Sequence, residues 1–199
     1  MARPFRQQAD EEILDRAAAL FAQHGFAQTT LKSVADAVGL SKAGLLHHFP
    51  NKEALYDAAH EVAREQGKRV LDRLAALPPG SERDVRALDL LTDIALDRPG
   101  LVALAFRAVT APDAEPALAA EDMFVSSIFG VDLGEGSDAR PERLVRVIGA
   151  LSALAVLTLA ANHRGEKTTW RPLIVATCTA ALGHGRAAPL TSPQDQVEA

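Results

Sequence analysis

At 199 residues, with 48% hydrophobic and 24% charged residues, the chain has the make-up of an ordinary soluble globular protein, with room for one large or two small domains. A formal net charge of -5 argues against a general nucleic-acid coat protein, so any nucleic-acid binding has to come from a local patch. Cys178 is the only cysteine, which excludes an intrachain disulfide and fits a reducing cytoplasm, and the opening MARPFRQQADEE lacks the apolar run of a secretion signal.

In chain order, Arg3 and Arg6 stand in a start expected to be unstructured, and Asp10, Glu11, Glu12 and Asp15 fall in a first helix. From Leu31 to Val38, Leu31, Val34, Ala35 and Val38 recur at helical spacing, with Thr29 and Thr30 as candidate N-caps. Gly39 supplies the left-handed backbone that ends a helix and turns it within a residue or two. Leu40 plugs the angle that follows. Ser41 caps a second helix of about seven residues, in which Leu45 and Phe49 point inward and Lys42, Ala43, Gly44, Leu46 and His47 stay on the outer face. Ala35 lies where the two helices cross, and a larger side chain there would push them apart. So short a second helix suits a DNA major groove.

The charges support the same reading. Between Phe26 and Lys52 the only charged residues are Lys32, Lys42, Lys52 and Asp36, a local balance of about +2 in an acidic chain. The three lysines fall on three segments, as contacts to the separated phosphates flanking a groove require. Asn51 is expected to cap the long helix beginning at Lys52, adding backbone amides beside that lysine. Each lysine taken alone is ordinary surface charge, and their joint placement carries the inference. Thr29 or Thr30 has phosphate contact as a second role. His47 and His48, adjacent on a helix, point about 100° apart and cannot easily chelate one ion, so His47 is expected outward and His48 partly packed. Arg3 and Arg6 either reach a minor groove or the DNA backbone, or form a solvated tail.

Together with Ile13, Ala17, Leu20, Phe21, Gly25 and Phe26 upstream and Phe49, Lys52, Glu53 and Leu55 downstream, this block resembles the DNA-binding domain of TetR-type transcriptional regulators. The order Gly-Phe, Thr-Thr, Val-Ala, Gly-Leu-Ser-Lys, His-Phe and Asn-Lys-Glu-Ala-Leu is specific, and it covers about the first quarter of the chain. Regulators of this type usually carry a tyrosine where this chain has Leu46, so phosphate contact by residue 46 is excluded, while apolar contact with a thymine methyl stays open to it. The resemblance implies an all-α chain: a three-helix helix-turn-helix domain (1–55), a larger helical ligand-binding and dimerisation domain (56–186) and a tail (187–199) expected to be disordered. The expected DNA contacts are Thr29, Thr30, Lys32, Ser41, Lys42, Ala43, Gly44, Leu46, His47 and Lys52.

Beyond the reader, Leu55, Ala59, Val62, Val70, Leu74 and Leu77 form a stripe along a helix of about 25 residues that stops at Pro78, Pro79 and Gly80. A helix over about 81–97 shows Val85, Leu88, Leu91 and Ile94. It is followed by a short apolar helix over 101–110, and by one over about 115–129 carrying Leu118, Met123, Phe124 and Ile128. The loop GVDLGEGSDARP is the segment with the strongest signature of flexibility. Residues 147–162 then run without a charge, apolar around nearly the whole circumference but only about 24 Å long, which favours a buried helix over a bilayer span. A second apolar helix over about 170–182 pairs with it. Together they expose more apolar surface than one small domain covers, so a homodimer through about 140–164 and 169–185 is expected; the alternative is that both complete a monomeric core.

The resemblance also implies a small-molecule cavity among the middle helices, with Tyr56, His60, Leu91, Phe106, Arg107, Met123, Phe124 and Trp170 as candidate lining, though any of them can be plain core. Arg107, a charge amid AFRAV, would pair with an anionic ligand or with Asp113 or Glu115. No catalytic, metal-ligating or cofactor-binding pattern is present in the sequence. The function implied is a cytoplasmic regulator, usually a repressor, released from a palindromic operator by a small-molecule effector. An all-helical carrier or interaction protein would explain residues 56–186 equally well, but leaves the first quarter unexplained.

Overall fold

The computed structural model describes residues 3–110, 119–131 and 141–184, which form helices and short connections with no strand among them. They are α1 (Arg3–Gln28), α2 (Leu31–Ala37), α3 (Lys42–His48), α4 (Lys52–Leu74), α5 (Ser81–Asp97), α6 (Pro99–Thr110), α7 (Ala119–Phe129), α8 (Pro141–Arg164) and α9 (Lys167–Ala181). Most of the loop expected after Phe129 (132–140), the tail 187–199, Leu118, and the side chain of Met123 lie outside the described residues. Arg3 and Arg6 correct an expectation: both fall within α1 rather than in an unstructured start. The helix is broken at Gly25 (φ 78°, ψ 163°), where the first helix was expected to end.

Two apolar clusters organise the chain. The first collects Ile13, Leu14, Ala17, Ala18 and Phe21 from α1, a stripe at three- and four-residue spacing, with Val34 and Ala35 of α2, Leu45 of α3, and Leu55 and Ala59 of α4. It also takes in Leu101 and Leu104 of α6. The second holds Val70 and Leu74 of α4 together with residues of α5, α7, α8 and α9, among them Leu88, Ile128, Val147, Leu154, Ile174 and Cys178. One continuous α4 therefore contributes to both.

The face that α5 buries differs from the expected stripe. Asp84, Ala87, Leu88, Thr92 and Ala95 are buried, while Val85 is exposed and Leu91 and Ile94 are only half-buried. The physical reason is that the two alanines let α8 and α9 approach closely, and Asp84 is admitted by an ion pair to Arg143 (2.8 Å) and a hydrogen bond with the His184 ring (2.6 Å). Arg83, next to it, donates to four carbonyls: Leu74 (2.6 Å) and Leu77 (3.0 Å) where α4 ends, and Ser127 and Ile128 (both 3.2 Å) where α7 ends. It satisfies acceptors that helix termini leave open.

At 24 residues α8 extends well past the charge-free run, so the length argument against a bilayer span does not hold for the whole helix. It packs instead on one face, burying Val147, Ala150, Leu154, Ala155, Thr158 and Ala161. The opposite face leaves Val145 67%, Ile148 43% and Val156 55% exposed, with Leu173 of α9 at 62%. Among the described residues nothing covers these four side chains.

α6 begins against α1. The Asp15 carboxylate accepts from the amides of Gly100 (2.9 Å) and Leu101 (3.1 Å), supplying from another helix the cap that Pro99 and Gly100 lack. Burial raises the Asp15 pKa, opposed by those two hydrogen bonds and by Arg98 and Arg16. A carboxyl whose pKa is raised on folding favours the native state most when protonated, and that contribution is lost as pH rises through its folded pKa. Asp15→Asn keeps the acceptor oxygen without the desolvated charge. At neutral pH it should melt at or above the wild-type temperature, with the difference shrinking as pH falls through the carboxylate range, whereas Asp15→Ala should lose about 1 kcal/mol. Thermal unfolding by circular dichroism reads both, and an Asn variant as unstable as the Ala variant would refute this account.

Candidate nucleic-acid interface

The outer surface of the first cluster is built by two seven-residue helices. Thr30 starts α2 with a reciprocal cap: its hydroxyl accepts from the Ser33 amide (3.0 Å) and its own amide donates to Ser33 Oγ (3.1 Å). Gly39, at φ 69°, makes the turn. Ser41 then caps α3, its Oγ accepting from the Gly44 amide at 3.0 Å. Leu45, fully buried, is the inward anchor of α3; Phe49 is half-buried and sits just past the helix as its C-cap. Lys42, Ala43, Leu46 and His47 are left exposed on one side of the helix.

Gly44 lies closer in than the exposed face. A Cβ there would meet Ser41 Oγ at 3.3 Å and Leu40 Cβ at 3.8 Å, so it is half-covered by its own cap. His48 is partly packed, as expected, and Nδ1 lies 2.5 Å from Asp10 Oδ1, which ties α3 to α1. Asn51 caps α4 by accepting from Ala54 N at 2.7 Å.

Two of the expected contacts need correction. Thr29 is 1% exposed, and its hydroxyl donates to the Gly25 carbonyl (2.8 Å), with that of Leu20 at 3.2 Å, so it joins the broken end of α1 to the start of α2 and cannot reach a ligand outside. Lys52 does not project outward: Nζ donates to the Phe26 carbonyl at 2.9 Å and stands 4.2 Å from the Phe26 ring centroid. Lys32 is exposed but shares its charge with Asp36 one turn on, at 3.0 Å. Of the three lysines, Lys42 is thus the one displayed on the α3 face. A lysine folding back onto an aromatic ring 26 residues earlier leaves no trace in local spacing, and neither does the pairing of Asp10 with His48.

Of the eight residues expected to line a cavity, the seven whose side chains are described lie in different parts of the fold. Tyr56 packs in the first cluster, with ring centroids 5.0 Å from Phe21, 4.9 Å from Phe26 and 4.4 Å from His60, which is itself buried. Leu91 packs on the second cluster, and Phe124 presses its ring against α4 at Gly67. Trp170 sits at the start of α9 under Arg164. Phe106 and Arg107 do share a concavity, an open groove of about 470 Å³ where Ala19, Ala22 and Gln23 of α1 face α6 and Leu159 of α8. Arg107 reaches back toward the α1 terminus, 3.5 Å from the Ala22 carbonyl. Its expected alternatives Asp113 and Glu115 are outside the described residues. The scatter has a plain cause, since an aromatic on an apolar helix stripe looks the same in sequence whether it faces a cavity or a neighbouring helix.

Residues 13–59 match the family described as bacterial regulatory proteins, tetR family. Over 46 residues the chain is 48% identical to the HTH-type transcriptional repressor KstR2 of Rhodococcus jostii, a match spanning 23% of this chain and 22% of that protein. Over 190 residues it is 24% identical to the HTH-type transcriptional regulator Rv1255c of Mycobacterium tuberculosis, covering 94% and 93% of the two chains. Among solved structures, a gamma-butyrolactone receptor described as an ArpA-like protein shares the fold, with a TM-score of 0.53, 21% identity, and 89% of this chain and 97% of that one covered.

Because Lys52 is engaged with Phe26, Lys52→Ala should act on stability. Loss of a hydrogen bond to a buried-side carbonyl and of a cation over a ring predicts a destabilisation of about 1–2 kcal/mol by chemical denaturation. A variant as stable as wild type would place this side chain in solvent instead.

Proposed function

By its residues 13–59 the chain belongs to the tetR family of bacterial regulatory proteins, and on that premise we propose a sequence-specific DNA-binding transcriptional regulator, a repressor that a small-molecule ligand releases from a palindromic operator. The observation that carries this reading is α3 itself, capped at Ser41, anchored by Leu45, and presenting Lys42, Ala43, Leu46 and His47 on one exposed face. A helix with small residues at its N-terminal end can approach base edges closely, which is how helix-turn-helix readers enter the major groove. In this reading Lys42 meets phosphate, Leu46 meets a thymine methyl, and Ala43 and Gly44 permit the approach. Ser41 and Thr30 stand at the two helix N-termini, with Lys32 beside them at the backbone.

We take residues 1–55 as the reader and 56–186 as the part that senses and dimerises, acting in the bacterial cytoplasm where the DNA is. Dimerisation is assigned to the uncovered faces of α8 and α9, since Val145, Ile148, Val156 and Leu173 gain by burial against a second copy. Two readers related by a two-fold axis then address half-sites about 34 Å apart, which makes the operator palindromic. The effector is an unidentified small molecule. One fold neighbour is described as a gamma-butyrolactone receptor, which supports ligand control of such a body without naming the ligand here.

Selection of bound fragments from a random DNA library tests the whole reading at once. The expected result is an inverted repeat, and failure to enrich any sequence would exclude it. Against the selected site, Lys42→Ala should weaken binding several-fold and reduce the slope of log affinity against log salt by about 1, with base preference intact. An unchanged slope would remove Lys42 from the phosphate contacts.

Leu173→Asp, placed on a residue already exposed in one protomer, should leave helix content unchanged but yield monomers in analytical ultracentrifugation and abolish binding to the full palindrome. A dimer of wild-type affinity would move the interface elsewhere.

A further inference from the structure

The first apolar cluster does not end with the reader. Leu101 and Leu104 of α6 are buried in it beside Ile13, Leu14, Ala17, Ala18 and Phe21, so α6 is packed into the reader's own core. The two helices touch backbone to backbone. A Cβ built on Gly100 would lie 1.8 Å from the carbonyl oxygen of Asp15, 2.8 Å from its carbonyl carbon and 3.0 Å from the amide of Ala19, a space that no side chain fits without moving a helix.

Polar ties run along the same crossing. Arg98 pairs with the Glu11 carboxylate, Asp15 caps the first two free amides of α6, and Arg107 lies near the Ala22 carbonyl at the far end. On the other side of α1, Asp10 holds His48 at the end of α3. Within six residues, therefore, α1 grips both the reading helix and α6.

We propose that Asp15 and Gly100 are positioning residues for operator binding: they lock α1 to α6, and the lock fixes the angle at which α3 is held relative to the α5–α8–α9 body, hence the half-site spacing that a dimer accepts. Neither residue touches DNA. This rests on the regulator reading given above, but the lock can be measured without it.

Nitroxide labels at Ala43 on α3 and Glu82 on α5, both exposed, report the head-to-body distance in the full-length protein, with labelled chains diluted in unlabelled ones. Cys178 need not be removed, because it is buried and its thiol pKa is pushed up to about 11. Wild type and Asp15→Asn, which keeps the acceptor oxygen, should give one narrow distance distribution. Asp15→Ala and Gly100→Ala should broaden or shift it.

In parallel, operators built from the selected half-sites at graded spacings should show wild type preferring one spacing, and the two Ala variants losing that preference by about an order of magnitude. A purely structural role would lower the melting temperature of Asp15→Ala and leave both distance and spacing preference as in wild type. That result overturns the proposal. Should Gly100→Ala fail to fold, Asp15→Ala decides. Should wild type select no DNA, the regulator reading falls, while the label distances still settle whether the lock exists.

Discussion

A helix of seven residues has too few hydrogen bonds to offset the cost of its own nucleation, so neither α2 nor α3 would persist in water alone. Both exist because each lowers one or two side chains into a shared core: Val34 and Ala35 from α2, Leu45 from α3, all essentially without exposure. Burying a leucine is worth about 2 kcal/mol, enough to hold a short helix but not to let it move independently of the core. Caps at Thr30, Ser41 and Asn51 add to this at each helix start. The exposed face of α3 is thereby made rigid by what lies behind it.

What lies behind includes more than the reader. α4 runs through both apolar clusters, Leu55 and Ala59 in one and Val70 and Leu74 in the other. α6 joins the first cluster from the side, through Leu101 and Leu104 and the glycine that meets α1. Two helices thus connect head and body, one along its length and one at its beginning. A displacement of either helix is passed on to the core behind α3, because close-packed interiors transmit displacement and do not absorb it.

Much of this was legible in the residues. The apolar spacing of 31–38, the glycine turn, the serine cap and the prolines after residue 77 placed the early helices and their boundaries within a few residues, since these are local signals. The α5 stripe expected through Val85, Leu88, Leu91 and Ile94 is displaced toward Asp84, whose burial depends on Arg143 and His184, contributed from 59 and 100 residues away. Thr29 and Lys52 were misjudged for the same reason. Sequence marks them as polar residues beside a reading helix, but the partners that claim them, the carbonyls of Gly25 and Phe26, become available only once α1 has broken and turned. The candidate cavity fared worst, because enclosure depends on how several distant helices meet.

Arg83 has one guanidinium serving four carbonyls from two helix ends that are more than forty residues apart in sequence. Its planar fork spreads the donors over several ångströms, whereas a lysine concentrates all three on one nitrogen and does not span the same four oxygens. Exchange of one base for the other at this site keeps the formal charge and gives up part of the fourfold tie between the ends of α4 and α7. At this position shape, and not ionisation, is the property under constraint.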